Sequence, residues 1–210
     1  MHHFDVETLT AGRWRNGGGA TREIVSWPAG AQEFAWRASV ADIDRDGPFS
    51  AFPGIDRTLT LLAGDGVRLT APGTFDRLLA RPGEPFAFPG DLELTAELPG
   101  GACRVLNVMV RRGRRTARVD RLTGPFVPPA GHAGVCYVLS GHWRAETDGQ
   151  VMTAGQGLWW NEDEDERGPE PERGHGYERG HGYDGAPGGR AVVPLSPGAT
   201  ALWADVVPVG

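Results

Sequence analysis

Short apolar runs separated by glycine and proline form the main pattern along the chain. The sequence has 32 glycines and 17 prolines, and no long stretch carries apolar residues at helical spacing. Runs rich in Val, Leu, Ile, Trp and Phe between turn-forming residues are typical of β-strands. The pattern therefore predicts an all-β fold. The predicted strands are 21–27, 34–42, 57–63, 66–71, 92–97, 103–110, 135–140, 142–147, 150–153, 157–160 and 199–208.

Two regions of the chain, 59–90 and 135–160, repeat the same order of features. Each has an apolar strand, a glycine turn, a return strand, and then a small-residue turn with glycine that leads into an aromatic strand. This order is typical of a double-stranded β-helix, the cupin-type jelly roll, occurring twice. We therefore predict a bicupin with one unit at 1–115 and a second at 116–210.

The acidic charge of the chain is concentrated in one segment, 161–189. It holds nine acidic residues and three arginines, a net charge of −6, which equals the formal net charge of the whole chain. It also contains the tandem Glu-Arg-Gly-His-Gly-Tyr at 172–177 and 178–183. Such sequence buries too little apolar surface to order itself, so we predict a flexible insertion in the second unit. The rest of the chain is balanced, which argues against nucleic-acid binding.

Apolar run lengths and cysteine spacing indicate the compartment. No apolar run approaches the length of a membrane helix, and the first residues lack the pattern of a secretion signal. Cys103 and Cys136 are not arranged as Cys-x-x-Cys, so a disulfide framework or zinc site is not expected. We therefore expect a cytoplasmic protein that does not interact with membranes.

The usual signatures of metal and nucleotide chemistry are absent from the sequence. Region 21–110 contains no histidine, whereas metal-binding cupins need a close cluster of histidines and a carboxylate. His132 and His142 are interpreted as structural. The sequence has no Gly-x-Ser-x-Gly elbow, phosphate-binding loop or dinucleotide fingerprint. We therefore expect no metal and no cofactor.

Arginines that share strand faces with apolar residues are the remaining chemical signal. Arg57 alternates with Leu59, and Arg37 also lies within a predicted strand. Such an arginine must extend to solvent or bind an anion, and its planar fork suits a carboxylate. The alternative is an internal ion pair, for example with Glu23 or Asp56. Several inward-facing arginines at one barrel mouth favour an anion pocket.

Two loops bear on this pocket. Three glycines follow Asn16, and they provide either a hairpin corner or close backbone approach to a ligand. The loop 46–57 combines turn formers with two phenylalanines and Ser50. These phenylalanines either cover a planar ligand or close the barrel end as part of its core.

Several motifs resemble the HutD/Ves family, in order over residues 13–113. They are Trp14-Arg15-Asn16-Gly17-Gly18-Gly19-Ala20-Thr21-Arg22-Glu23-Ile24, Trp36-Arg37-Ala38-Ser39-Val40-Ala41, Asp46-Gly47-Pro48-Phe49-Ser50, Phe52-Pro53-Gly54-Ile55-Asp56-Arg57 and Leu106-Asn107-Val108-Met109-Val110-Arg111-Arg112-Gly113. The resemblance implies a two-cupin fold without a catalytic metal. It also implies a regulator of bacterial histidine utilisation that binds a small pathway metabolite, for which urocanate, a planar aromatic carboxylate, is a candidate.

Together, these observations predict a pocket in the first unit that binds a small, urocanate-like carboxylate. Arg57 is predicted to clamp the carboxylate, with neighbouring arginines, neutral hydrogen-bond donors and apolar walls around it. The predicted binding residues are Trp14, Asn16, Arg22, Arg37, Ser39, Phe49, Ser50, Arg57, Asn107 and Met109. An exposed sheet edge or barrel face would also allow a symmetric homodimer.

Two alternatives stay open from the sequence. The first is a metal-independent isomerase or hydrolase acting on the same kind of ligand, with Glu23 as the base. The second is an interaction protein that uses a dense basic run. That run contains Arg111, Arg112, Arg114, Arg115, Arg118 and Arg121.

Overall fold

The computed structural model describes residues 1–161 and 190–209. Apart from Asn161, the predicted acidic insertion lies outside the described residues. Within them the protein has eighteen strands, one 3-10 turn at Val6–Thr8 and no α-helix. Each of the eleven predicted strands coincides with an observed strand to within two residues at either end. No helix in this described part has the length and apolar character needed to cross a membrane.

A six-stranded antiparallel sheet from the first half of the chain carries a large cavity. A four-stranded sheet covers part of one face, and both faces of the central strands are buried. In spatial order the six strands are β2 (Ala11–Arg13), β3 (Gly19–Trp27), β4 (Trp36–Ile43), β11 (Cys103–Arg111), β6 (Ile55–Ala63) and β9 (Pro85–Pro89). The four strands are β5 (Gly47–Phe49), β10 (Leu94–Glu97), β7 (Val67–Ala71) and β8 (Phe75–Leu79).

The second half of the chain forms a five-stranded and a three-stranded sheet. The N-terminal strand β1 (His2–Asp5) belongs to the five-stranded sheet, although the other four strands of that sheet come from the second half of the chain. The five strands are β1 (His2–Asp5), β16 (Gln156–Trp160), β13 (Ala133–Ser140), β18 (Thr200–Pro208) and β12 (Arg115–Leu122). The three strands are β15 (Val151–Met152), β14 (Trp143–Ala145) and β17 (Val192–Pro194).

Three apolar clusters lie between these sheets. One fills the space between the six-stranded and four-stranded sheets, and another lies between the five-stranded and three-stranded sheets. The third joins the six-stranded sheet to the five-stranded sheet, and it includes Trp36, Leu106, Tyr137 and Leu202. The described chain is thus four stacked sheets, in which β4, β6 and β11 contribute to two clusters through alternate residues.

A register shift in β3 corrects one detail of the sequence interpretation. Strict alternation predicts Thr21, Glu23 and Val25 on one face of this strand. The pairing with β4 shifts between Glu23 and Val25, which pair with Ser39 and Ala38 respectively. The extra residue of this β-bulge turns Val25 towards the apolar cluster shared with the five-stranded sheet. Thr21 and Glu23 remain on the opposite face.

A chain of ion pairs links the N-terminal segment to three strands of the six-stranded sheet. Arg22 and Arg104 both donate hydrogen bonds to the Asp42 carboxylate, and the distance from Arg104 Nε to Asp42 Oδ1 is 2.6 Å. Arg104 Nη1 also donates to Glu7 Oε1 at 2.6 Å. Burial favours the neutral form of Asp42, but the hydrogen bonds from Arg104 and Arg22 outweigh this effect and lower the pKa of the carboxyl.

The ion pairs of Asp42 with Arg22 and Arg104 predict that the free energy of unfolding falls at acidic pH. Because the folded-state pKa of Asp42 lies below its ordinary value of 3.8, the carboxylate stabilises the fold above that value. This contribution is lost as the pH falls through the folded-state pKa. We expect Asp42→Asn to lower the free energy of unfolding at pH 7 by about 2 kcal/mol and to flatten the acid side of the profile. Urea unfolding from pH 7 to pH 2 measures both effects.

Asp120→Asn is the matched control for this measurement. Asp120 pairs with Arg118, whose side chain is 79% exposed, so solvent screens the interaction. Its loss is expected to cost less than about 0.5 kcal/mol. Equal losses for the two variants at pH 7 would contradict the structural role assigned to Asp42.

Candidate functional site

A cavity of about 710 Å³ opens on the face of the six-stranded sheet that is turned towards the four-stranded sheet. Its floor comes from β4, β6 and β11. Its walls come from the turn between β2 and β3 and from the segment 48–52. The cavity is therefore built on the central strands of the sheet and bordered by two loops, which carry Trp14 and Phe49.

Two arginines flank the floor in one row of paired residues. Met109 on β11 lies opposite Arg37 on β4 and opposite Arg57 on β6. Directly paired residues of antiparallel strands share a face, so both guanidinium groups rise on the cavity side. Met109 is fully buried in this row and does not line the cavity.

Arg57 is buried, with only 5% of its surface exposed. Its Nε and Nη2 atoms donate to Asn107 Oδ1, each at 3.4 Å, and its Nη1 donates to the Ser50 carbonyl oxygen at 3.1 Å. Three aromatic rings surround the guanidinium carbon at 5.2 to 5.3 Å from their centroids. The rings are those of Phe49, Phe52 and Phe88.

Within the described part of the chain, the charge of Arg57 has no carboxylate counterion. In the described ranges, no carboxylate oxygen lies within 4 Å of its guanidinium nitrogens, and its hydrogen-bond acceptors are neutral oxygens. Burial, followed by the nearby positive charge of Arg37, lowers the pKa of Arg57 to about 10. The group stays protonated at neutral pH, so the cavity contains a desolvated cation.

Arg37 differs from Arg57 because it has a carboxylate partner. Its Nε donates to Glu23 Oε2 at 2.7 Å, and the Glu23 side chain is 49% exposed. The internal ion pair that the sequence left open as an alternative therefore forms at Arg37 and not at Arg57. Glu23 does not line the cavity, so the structure does not place the proposed base at the site.

The next row of the floor is neutral. Asn107 lies opposite Ser39 on one side and Leu59 on the other. Ser39 is 1% exposed, and its Oγ has no hydrogen-bond partner among the described residues. Because Asn107 Oδ1 accepts from Arg57, its amide nitrogen is directed elsewhere, and no described residue accepts from it. The floor thus offers two unpaired polar groups beside the guanidinium.

The glycine-rich turn holds an aromatic wall over this floor. Trp14 packs edge-on against Phe49, with 5.8 Å between ring centroids, and its Nε1 donates to Thr21 Oγ1 at 2.8 Å. Gly17 adopts a φ of 67°, which favours glycine. A Cβ on Gly19 would overlap the Asp42 carbonyl oxygen and press on the Trp14 ring. The turn is both a hairpin corner and a cavity wall.

Most of the predicted binding residues meet at the cavity. Eight of the ten line it: Trp14, Asn16, Arg37, Ser39, Phe49, Ser50, Arg57 and Asn107. Arg22 does not, because it lies on the opposite face of β3 and is paired with Asp42. Met109 lies between Arg37 and Arg57 in the same row, but it is fully buried and does not line the cavity. Phe52 and Thr21 also line the cavity but were not predicted, although Phe52 shares a loop with Phe49 and the Thr21 hydroxyl accepts a hydrogen bond from Trp14.

Several of the other charged groups singled out in the sequence have internal partners. Arg111, Arg112 and Arg118 of the basic run form ion pairs with acidic residues of the same chain. His132 Nδ1 lies 2.7 Å from Asp205 Oδ1, in agreement with its structural interpretation. Among residues 1–161 and 190–209 there is no group of three or more His, Cys, Asp or Glu side chains arranged to hold a metal.

Comparison with known proteins identifies the family and the fold. A family model described as HutD matches residues 6–173. Protein Ves from Citrobacter koseri is 39% identical over 163 residues, which covers 77% of this chain and 84% of that protein. The structure of HutD from Pseudomonas fluorescens SBW25 in a formate condition matches with a TM-score of 0.74 at 24% identity, covering 100% of this chain and 99% of that one.

A cupin 2 conserved barrel domain protein from Leptotrichia buccalis also matches, with a TM-score of 0.53 at 10% identity. It covers 99% of this chain and 96% of that one. The cupin-like fold is therefore confirmed, and so is the resemblance drawn from the sequence motifs. Since the family model spans most of the chain and the Ves relative supports it, the chain belongs to the HutD family.

Proposed function

We propose that the protein is a metal-independent cupin that binds a small carboxylate in the cavity, with Arg57 as the anion clamp. The observation that carries this proposal is a buried guanidinium with no carboxylate partner in the described residues. Burying an unpaired charge is unfavourable, and an incoming anion would offset that cost.

The N–H donors of Arg57 that remain unused suit a carboxylate. A guanidinium has five N–H groups. One from Nε and one from Nη2 are directed at Asn107, and one from Nη1 is directed at Ser50. Each terminal nitrogen therefore keeps one unused N–H. Two parallel donors match the two oxygens of a carboxylate and provide a short, charge-assisted contact.

The charges of the floor favour a ligand with one negative charge. Glu23 neutralises Arg37, which leaves Arg57 as the uncompensated cation of the floor. Trp14 and Phe49 supply flat apolar surface against a planar ligand. A planar aromatic monocarboxylate such as urocanate fits this description.

We further propose that this binding serves the regulation of histidine utilisation in the cytoplasm. The support is membership of the HutD family, together with a cavity suited to a carboxylate of that pathway. Glu23, the base of the enzyme alternative, lies outside the cavity and pairs with Arg37, so no observation favours catalysis.

We also propose that the two halves are repeated cupin units, as the sequence pattern predicted. Gly83 and Gly155 follow the return strands of the two repeats and adopt φ values of 85° and 86°. Their N–H groups donate to the carbonyl oxygens of Leu61 and Val138, each two residues before the end of its strand. On this proposal, β1 is a strand that the first unit contributes to the sheet of the second.

Replacing Arg57 with Ala tests the clamp directly. We expect the affinity for trans-urocanate and for formate to fall roughly 100-fold, since two charge-assisted hydrogen bonds are lost. Calorimetric titration measures this, with histidine and glutamate as comparison ligands. Arg77→Ala is the control, because Arg77 also lies over a phenylalanine ring but pairs with Glu84 away from the cavity. Unchanged binding by Arg57→Ala would refute the clamp.

Asn107→Asp tests the same proposal without removing the cation. The new carboxylate would lie about where Oδ1 contacts Nε and Nη2 of Arg57, so it would neutralise the guanidinium internally. We expect carboxylate affinity to fall at least about tenfold while the thermal unfolding midpoint is maintained or rises. Asn16→Asp adds the same charge at the exposed turn and should cost less. Full affinity in Asn107→Asp would contradict the role of Arg57.

A further inference from the structure

Ser39 is a buried hydroxyl that the protein leaves unpaired inside the cavity. It is 1% exposed, lines the cavity, and its Oγ has no hydrogen-bond partner among the described residues. Leaving such a group unsatisfied costs about 1–3 kcal/mol, and most buried polar groups avoid this. A hydroxyl held in this state on a cavity floor is suited to a polar group of a bound molecule.

The amide of Asn107 is a second unpaired group beside it. Asn107 and Ser39 are direct register partners on β11 and β4, where side chains start about 5 Å apart. Arg57 can only donate, so it fixes Asn107 Oδ1 towards the guanidinium and directs Nδ2 away from it. An amide nitrogen can only donate, and a serine hydroxyl can donate as well as accept.

We propose that Ser39 Oγ and Asn107 Nδ2 form a neutral subsite that binds an uncharged acceptor atom of the ligand, a carbonyl oxygen or an sp² nitrogen. This inference rests on the proposed function, because it concerns the same molecule whose carboxylate meets Arg57. One small ligand can reach both Arg57 and the subsite, because the two lie on either side of the Asn107 amide. Its Oδ1 accepts from the guanidinium, and its Nδ2 belongs to the subsite.

The charges on β3 and β4 make this subsite better suited to a neutral acceptor than to a second carboxylate. Glu23 lies opposite Ser39 on β3, and its carboxylate already pairs with Arg37. Arg37, which lies on the same strand as Ser39, is therefore already paired and is less suited to holding a second anion. The ligand class is therefore a monocarboxylate with a neutral acceptor, and dicarboxylates are disfavoured.

Matched acids with and without an acceptor atom test this subsite. The pairs are trans-urocanate with trans-cinnamate, nicotinate with benzoate, and 4-oxopentanoate with pentanoate. We expect the wild-type protein to bind the acceptor-bearing member of at least one pair about tenfold or more tightly in calorimetric titrations. In Ser39→Ala this preference should fall to less than about threefold, while Arg57-dependent binding of the acid without an acceptor persists.

Thr60→Val is the matched control for removal of a buried hydroxyl. Thr60 Oγ1 is also unpaired and fully buried, but Thr60 does not line the cavity, so its loss should leave the preference unchanged. Thermal unfolding of each variant verifies that it is folded. Equal affinities within every pair, or a preference that survives Ser39→Ala, would overturn the subsite and leave the clamp standing. Failure of all six acids to bind would refute the carboxylate pocket itself, and the subsite with it.

Discussion

The buried positive charge of Arg57 is the constraint around which the site is arranged. Removing a cation from water is costly, and the protein compensates with two neutral oxygens and three ring faces instead of a carboxylate. These contacts hold the guanidinium in place without neutralising it. A carboxylate in the same position would give a self-contained ion pair, as at Arg37. Asn at position 107 therefore leaves the guanidinium charge uncompensated, where an acidic residue would form an internal salt bridge.

The central strands β4, β6 and β11 line the cavity with one face and pack against the five-stranded sheet with the other. On β4, Arg37 and Ser39 face the cavity, while Trp36, Ala38 and Val40 pack in the cluster shared with the five-stranded sheet. On β6 and β11 the same alternation separates cavity positions from packing positions. Chemistry at the cavity can consequently change without altering the packed face. Any effect of a ligand on the other half of the molecule must cross these strands.

Much of the fold was predictable because apolar runs and glycine turns mark most of the long strands, although β12, eight residues long and rich in arginine, was missed. Strands such as β2, β5 and β17 were missed, since three-residue edge strands carry too little periodicity. The bulge in β3 was also invisible, because Ile24 and Val25 are both apolar and both buried. An extra residue in a strand shifts every later side chain to the other face, and only the pairing partner reveals it.

The cavity positions were predictable to the extent that alternation places residues on a face. Arg57, Arg37 and Asn107 were selected because polar groups interrupt apolar strands, and all three line the cavity. The same reasoning selected Arg22, which does not line the cavity. Polar groups also interrupt the opposite face of the sheet, and there Arg22 pairs with Asp42. Sequence alternation tells which residues share a face but not which carboxylate lies across the next strand. The position of that carboxylate decides whether an arginine forms an internal ion pair or keeps an uncompensated charge.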